Sequence, residues 1–401
     1  MTSPMSAISV FLALIVVTPA IIFSLEIIAA LVLPERNYSK GTRTRGTDRV
    51  AVIIPAHNEE SGIARTLQDL KAQLNEHDRL VVVADNCSDN TAAVARQASA
   101  EVIERNEPDR KGKGYALAYA ISYLKSDPPQ FLIVVDADCR IEQGVIHTLI
   151  DTCRNTNRPV QSFSSMVAPI NAPISTRVAE FAWRVKNYVR PKGLSALGLP
   201  CQLMGCGMVF PWAIIRDANL ASASIVEDLK LGIDLALAGH LTTYCSRAAV
   251  VSEFPTTQEG IKTQRTRWEK GHVNMAMTAW PRLIYGAVVN LNPQLFALAM
   301  DLAVPPLSLL LMLLVATLAV TSLAWLLGAS SAGLVITMGG FLALSGTSFV
   351  AWLTYGRSIL PLSSVISVLP YVLGKFGLYR SIIVGRSKSE WIRTDRTKGS
   401  N

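Results

Sequence analysis

Two carboxylates one residue apart, Asp136 and Asp138, end the apolar run 131–135 in the stretch QFLIVVDADCR. Removing an unpaired carboxylate from water is costly. A strand that ends this way either surfaces into solvent or holds a cation. Mg²⁺ and Mn²⁺ take oxygen ligands and commonly share one or two carboxylates with a substrate's phosphates. Asp-x-Asp is also frequent in surface turns, so the pair alone decides nothing. Three further stretches carry matching chemistry. In RNEPDRKGKGYAL, Gly112 and Gly114 bracket Lys113, next to Lys111 and ahead of a helical pattern. Such a turn can aim backbone N–H groups and ammonium charge at a phosphate, or it is a solvated basic loop. In IVEDLKLGIDLALAGH, Glu227 and Asp228 open an amphipathic helix. They complement the helix dipole, or Asp228 is a general base within hydrogen-bond reach of an acceptor hydroxyl. In TQRTRWEKGH, Gln264, Arg267 and Trp268 join a charge-assisted donor for a diphosphate to an aromatic platform for a sugar ring. An interfacial helix would carry the same residue types.

The elements that must position these groups alternate strand and helix over residues 49–250. RVAVIIPAHNEE predicts a buried strand that breaks at Pro55, and SGIARTLQDLKAQL a helix with Ser61 as N-cap. RLVVVADNCSDNT predicts a second strand, TAAVARQASA a second helix and EVIERN a third strand. GYALAYAISYLKS and QFLIVVDADC follow as helix and strand. Continuous Val/Ile runs between helices argue for a parallel sheet covered on both faces. Ligands of such sheets bind at the carboxyl ends of the strands. His57, Asn58 and Glu59, then Asp85, Asn86 and Asp89, then Asp136 and Asp138, would share that edge.

The chain has 401 residues, a net charge of +8 and a mean hydropathy of +0.31. That hydropathy is high for a soluble enzyme, and three apolar segments account for it. Residues 6–33 hold one acid, Glu26, while 302–328 and 333–355 hold no charge. Each reaches the roughly 20 residues that cross a hydrocarbon core. The first lacks a basic n-region and is too long for a signal-peptide core, so it reads as a retained anchor. Arg36, Lys40, Arg43, Arg45 and Arg49 follow it. The positive-inside rule then puts the N-terminus outside and residues 34–300 in the cytoplasm. Glu26 should pair inside the bundle, as intramembrane acids usually do. The stretch 359–374, broken by Pro361 and Pro370, is a kinked span, a re-entrant segment or an interfacial helix. Lys375, Arg380, Arg386 and Lys388 after it suit an anionic cytoplasmic surface. The expected division is an anchor at 1–33, a cytoplasmic catalytic domain at 34–290, a membrane region at 291–380 and a basic tail at 381–401. The six cysteines show no zinc-like spacing and read as free thiols. The basic excess lies near the membrane segments and no nucleic-acid motif is present, so no nucleic-acid partner is expected.

In order, IPAHNEE, VADNCSDNTA, KGKGYAL, DADC, LMGCGMVF, VEDLKLGIDLALAG and QRTRW resemble the membrane-bound family-2 glycosyltransferases. That group includes cellulose, hyaluronan, chitin and poly-N-acetylglucosamine synthases and ceramide glucosyltransferases. The resemblance covers about residues 49–280. It implies an α/β fold of GT-A type, a Rossmann-like nucleotide-sugar-binding domain, flanked by transmembrane helices. It implies that Ala56, His57 and Glu59 line the nucleotide pocket, that Asp85 contacts the base and that Lys113 approaches the diphosphate. Asp136 would sit by the nucleotide. Asp138 would ligate Mg²⁺ or Mn²⁺, which stabilises the leaving nucleoside diphosphate. Asp228 would deprotonate the acceptor hydroxyl in an inverting transfer, an α-linked donor giving a β-linked product. Glu227, Gln264, Arg267 and Trp268 would frame the acceptor and diphosphate, with Cys206 near the acceptor sugar. The stretches 174–190 and 265–286 would lie at the membrane interface.

The resemblance further implies a multi-pass inner-membrane protein with a UDP-linked donor and a lipid-linked or glycan acceptor. The bilayer and polysaccharide-export subunits would be its partners. The Phe-x-Val-Thr-x-Lys motif of the cellulose synthases is absent, and WIRTDR (391–396) is a loose analogue. Three or four spans are also few for a secretion channel. Single transfer to a lipid and processive synthesis of an exopolysaccharide therefore both stand. A nucleotidyltransferase shares the sheet and the metal but does not need Gln-x-x-Arg-Trp. A non-catalytic scaffold would not need Asp138, Asp228 and Trp268.

Overall fold

The structure, a computed structural model, describes residues 3–38, 48–222, 224, 226–255, 257–363 and 368–383. The basic residues Lys40, Arg43, Arg45, Arg386 and Lys388, the tail from 384 and the WIRTDR stretch lie outside the described residues. Among the described residues the core is one eight-stranded sheet in the order β3-β2-β1-β4-β7-β6-β8-β5. Its strands are β1 (Val50–Ala56), β2 (Arg79–Asp85), β3 (Glu101–Arg105), β4 (Phe131–Val134), β5 (Arg140–Ile141), β6 (Val160–Val167), β7 (Met208–Pro211) and β8 (Thr243–Glu253).

The strands β1 to β4 pair in parallel, as expected. The wholly parallel sheet expected up to residue 250 does not continue. β7 runs antiparallel to β4 and β6, and β5 antiparallel to β8, while β6 and β8 are parallel. The reason lies in the turn that feeds β7. Gly205 and Gly207 have φ of 89° and 67°, a region glycine enters without steric cost. They reverse the chain at the carboxyl end of β4, and β7 leaves in the opposite direction. A Cβ on Gly207 would lie 1.9 Å from Ser162 Oγ. The buried Gln161 pins the turn by donating to Cys206 O and accepting from Met204 N, both at 2.8 Å.

Two local expectations are also corrected. β1 does not break at Pro55 but continues to Ala56. Pairing with β4 has already ended at Ile53 and Val134, so a residue without an N–H is tolerated there. The next helix, Ile63–Lys71, is preceded by Gly62 rather than capped by Ser61. The N–H groups of Gly62 and Ile63 are instead satisfied by Glu59 O at 3.1 and 3.0 Å. Alternate strand residues enter opposite cores. Val52 and Ile54 pack with Leu67 and Ile146, and Ile53 and Val83 pack with Leu117 and Phe210.

Among the described residues, three helices are long and apolar enough to cross a membrane: Pro4–Val32, Leu307–Leu326 and Ala332–Tyr355. In the 359–374 stretch the described residues include the short helix Val368–Leu373. The amphipathic stretch 174–190 is the helix Ile174–Arg184 followed by a π-helical turn, Val185–Val189. Such turns often mark functional sites. The stretch 265–286 lies within the long helix Gln258–Val289.

Glu26 finds the partner its position demanded. Arg190 Nε donates to Glu26 Oε2 at 2.5 Å, and its Nη2 donates to Asp301 Oδ1 at 2.6 Å. All three residues are buried. Gln202 Nε2 covers the other Asp301 oxygen at 2.7 Å. Gly193 permits this approach, since a Cβ there would lie 1.9 Å from Glu26 O. Arg190→Met would leave two buried acids without a cation, and breaking a buried pair costs about 3–5 kcal/mol. Thermal unfolding in lipid nanodiscs should show that loss, with part of it recovered in Arg190→Met/Glu26→Gln. An unchanged midpoint for Arg190→Met would mean that water reaches both acids.

Candidate active site

The carboxyl edge of β1, β2 and β4 opens into a cavity of about 310 Å³. Ala56, His57 and Glu59 enter from the end of β1, Asp85 from β2, and Asp136 and Asp138 from the end of β4. The start of the helix Lys113–Leu124 brings Lys113, and the glycine turn brings Cys206. The helix Glu227–Leu237 brings Glu227 and Asp228, and the helix Gln258–Val289 brings Gln264, Arg267 and Trp268. Every residue assigned a site role from the sequence therefore lines one cleft. Lys111, the other lysine of the basic loop, is exposed.

Lys113 lies at the centre of the charge. Its ammonium pairs with Asp136 and donates to Gly205 O at 2.7 Å. Burial works against its charge, but Asp136 and Glu227 outweigh burial and hold its pKa above the ordinary lysine value. Glu227 and Asp228 are half-buried and line the cleft. Burial first, and then the charge of Asp228, pushes Glu227 up to about 7. Burial also raises Asp228, with Lys113 pulling the other way. Asp228 Oδ1 accepts from Leu229 N at 2.8 Å. A Cβ on Gly205 would stand 3.0 Å from Asp228 Oδ2, so glycine leaves that carboxylate approachable. A carboxylate with a raised pKa beside a cation in a cleft has the properties of a general base.

Asp85, His57 and Glu59 are held by second partners. Asp85 is buried and its Oδ1 accepts from Arg105 Nη1 at 2.5 Å. His57 Nδ1 lies 2.7 Å from Asp85 O, and because a carbonyl only accepts, this nitrogen carries the proton. Glu59 N donates to Thr91 Oγ1 at 2.8 Å. On the opposite wall, Trp268 packs on Trp183 with ring centroids 4.8 Å apart. Burial depresses Arg267, and Glu227 opposes that.

The donor set decides whether a divalent cation fits. Asp136, Cys139 and Cys206 bring one ligand atom each within 4.8 Å of one another. The sulfurs are 3.1 Å apart, and their hydrogen bond, with burial, pushes the Cys139 thiol well up. A protonated sulfur pair does not suit Mg²⁺ or Mn²⁺, which prefer oxygen. Asp136 is engaged by Lys113. Asp138, half-buried on the cleft wall, is a carboxylate of the kind such a cation takes, and substrate phosphates would complete the shell. The residues fit a metal of that kind.

The structure adds residues that the sequence reading did not assign. Lys186, Asn187, Arg190, Gln202, His272 and Asp301 line the inner end of the same cleft. One signal was available: an acid inside the first span requires a cation, and the amphipathic stretch 174–190 passes into the basic run KNYVRPKG.

A mixed α/β sheet whose carboxyl edge gathers these groups is a nucleotide-sugar-binding fold of GT-A type. The sequence family described as "Glycosyltransferase like family 2" matches residues 48–271. The chain belongs to that family. It is 36% identical over 108 residues to the low-salt glycan biosynthesis hexosyltransferase Agl6 of Haloferax volcanii, covering 26% of this chain and 25% of that protein. It is 23% identical over 237 residues to the poly-β-1,6-N-acetyl-D-glucosamine synthase of Staphylococcus aureus, covering 55% of this chain and 54% of that protein. It thus spans a quarter to about half the length of these relatives. The mannosyltransferase PcManGT from Pyrobaculum calidifontis, solved with GDP-Man and Mn²⁺, matches 96% of this chain and 100% of its own. The TM-score is 0.56 at 16% identity, a likeness of fold.

Glu227 sets a pH dependence. Between its ordinary 4.5 and about 7, the folded chain retains a proton that the unfolded chain releases. Stability therefore falls as pH rises through that window. Thermal unfolding as a function of pH should show the fall, and Glu227→Gln should flatten much of it. Identical profiles for the two proteins would contradict the assignment.

Proposed function

We propose that this chain is a membrane-bound inverting glycosyltransferase that moves a sugar from a nucleoside-diphosphate sugar to a lipid-linked or glycan acceptor. The observation that carries the reading is the joint placement of Asp228, Lys113, Asp136 and Asp138 in one cleft. In this reading Ala56, His57, Glu59 and Asp85 receive the nucleotide, and Lys113 and Arg267 face the diphosphate. Asp138 holds Mg²⁺ or Mn²⁺, which neutralises charge on the leaving nucleoside diphosphate. Asp228 accepts the proton of the acceptor hydroxyl, whose oxygen attacks the anomeric carbon from the face opposite the diphosphate. The anomeric carbon–oxygen bond to the diphosphate breaks and the configuration inverts. Glu227 and Cys206 border the acceptor, and Trp268 offers it a stacking face.

The three apolar helices support membrane attachment. Residues 1–33 form the anchor, 34–290 the cytoplasmic catalytic domain, 291–380 the membrane region and 381–401 the tail. Arg36 and Arg49 after the first helix favour the cytoplasmic side of the inner membrane. Metal use is supported by the Mn²⁺ of the mannosyltransferase complex. A second reading, processive exopolysaccharide synthesis with export subunits, is supported by the likeness to the poly-N-acetylglucosamine synthase.

The test uses the full chain in nanodiscs with native lipid extract, Mn²⁺ or Mg²⁺, and UDP- and GDP-linked sugars. Nucleoside diphosphate release and product size are followed. One donor should be consumed in a metal-dependent way. Asp228→Ala should lower turnover by about 10²–10⁴-fold, and Asp138→Ala should weaken donor binding. A product one sugar larger means single transfer, and a ladder means a synthase. Release from no donor, or release unaffected by both substitutions, would sink the reading.

A further inference from the structure

The helix Gln258–Val289 carries charge on a face that the cleft does not use. Gln264, Arg267, Trp268 and His272 line the cleft. At about 3.6 residues per turn, Arg265 and Glu269 fall together on the adjoining face. There Glu269 gathers three donors. The Lys375 ammonium pairs with its Oε1, and Tyr379 Oη donates to its Oε2 at 2.7 Å. Arg265 Nη2 stands 4.0 Å from Oε1. Because Tyr379 spends its proton on Glu269, the Ser308 hydroxyl donates to Tyr379 Oη, at 2.6 Å. Ser308 lies in the first turn of the candidate span Leu307–Leu326. Arg265 and Lys375 also stand over the Tyr371 ring, 4.8 and 5.1 Å from its centre. Glu269 thus joins three elements: the long helix, the start of one candidate span and the segment that follows the last.

Burial makes this junction a constraint. The side chains of Glu269 and Lys375 are 13% and 14% exposed, and Tyr379 is 3% exposed. An ion pair so withdrawn from water escapes most of the screening that weakens surface pairs. A helix can turn about its axis or slide along it with its own hydrogen bonds intact, so its contacts with other elements decide which face it presents. On the cleft side Trp268 rests on Trp183, ring against ring at 4.8 Å. Such a contact is less directional than charge-assisted hydrogen bonds to a carboxylate. Those bonds belong to Glu269, the residue next to Trp268 and two from Arg267. A misplacement of about 1 Å at a reacting site is enough to cost orders of magnitude in rate.

We propose that Glu269 is a positioning residue: held by Lys375 and Tyr379, it lets the segment after the last candidate span fix where Arg267 and Trp268 stand on the cleft wall. What Arg267 and Trp268 do there rests on the transferase reading above; their placement does not.

The full chain in nanodiscs is compared with Lys375→Met, Lys375→Arg and Tyr379→Phe. Two indoles this close couple their transitions, and the couplet in the circular dichroism spectrum reports the Trp183–Trp268 geometry. Subtracting the Trp183→Phe spectrum isolates it. Measured well below the unfolding transition, Lys375→Met should lose most of the couplet, Lys375→Arg should keep it and Tyr379→Phe should fall between. In the transfer assay, Lys375→Met should raise the donor KM about tenfold, and Lys375→Arg should restore most of it. A merely structural defect leaves less folded enzyme, which lowers turnover at unchanged KM and leaves the couplet per folded chain as it was. A wild-type couplet and KM in Lys375→Met would overturn the proposal. So would a Lys375→Arg as impaired as Lys375→Met. Should Lys375→Met fail to fold, an unaltered couplet and KM in Tyr379→Phe would overturn it equally. The spectrum needs neither donor nor turnover. A chain whose couplet follows the expected order but which transfers nothing loses the transferase reading alone. A chain that transfers sugar, with Lys375→Met like wild type in couplet and KM, loses this proposal alone.

Discussion

One buried ammonium organises the cleft. Lys113 touches Asp136 and the carbonyl of Gly205 and lies in the field of Glu227. Four chain segments meet at this point: the end of β4, the start of the Lys113–Leu124 helix, the glycine turn and the start of the Glu227–Leu237 helix. Carboxylates brought this close raise one another's pKa unless a cation intervenes. Lys113 is that cation, and it opposes the burial that raises the Asp228 pKa. The packing that delivers it is tight. Gly114 passes so near Leu220 that a Cβ would lie 2.5 Å from its carbonyl oxygen. An entering diphosphate would meet an ammonium already fixed in place, and fixed charges cost no reorganisation when the reaction demands them.

A second charge cluster ties this cleft to the apolar helices. Glu26 on the first helix, Arg190 after the π-helical turn and Asp301 before the second candidate span form one buried network. Arg190 and Asp301 also line the inner end of the cleft. The apolar helices and the site are thus held in register by the same side chains. Small residues allow the close helix contacts: Cβ atoms on Gly333 and Gly340 would lie 2.1 Å from Ser9 Oγ and 2.7 Å from Val17. Glu269, one residue past Trp268, pairs with Lys375 and accepts from Tyr379 Oη at 2.7 Å. The helix that carries Gln264, Arg267 and Trp268 is therefore braced against the segment that follows the last candidate span.

Much of this was readable from the chain, for identifiable reasons. Strands β1, β2 and β4 are buried on both faces, and such strands announce themselves as unbroken Val and Ile runs. Their polar ends mark the ligand edge of a sheet, so His57, Asp85 and Asp138 could be placed together before any coordinates. The second half of the sheet was not readable. β6 runs VQSFSSMV, and its buried Gln161 and Ser162 make sense only against the glycine turn they support. Pro55 and Ser61 were misread because strand continuation and helix capping depend on which neighbour lies alongside. The inner end of the cleft gave no local signal. Nothing in the letters of Asn187 or His272 tells that Asn187 Nδ2 and His272 Nδ1 are buried without a partner, since that depends on long-range packing.

The two ends of the cleft differ in electrical character, and the difference follows the proposed chemistry. The outer end sets Lys113 and Arg267 beside Asp136 and Asp138, with Glu227 close to its protonation midpoint near neutral pH, an arrangement suited to a leaving group that departs as an anion. The inner end presents a neutral imidazole, amides and an arginine, Arg190, paired with Glu26 and Asp301. Asp228 stands where the two meet, within the influence of both Lys113 and Lys186. A base so placed can hold a negative charge before the acceptor arrives and lose it on taking the hydroxyl proton. Lys113 and Lys186 limit the cost of the first state, and partial burial favours the second. The opposing influences of cation and burial on one carboxylate are what a proton acceptor between a charged donor and an uncharged acceptor requires.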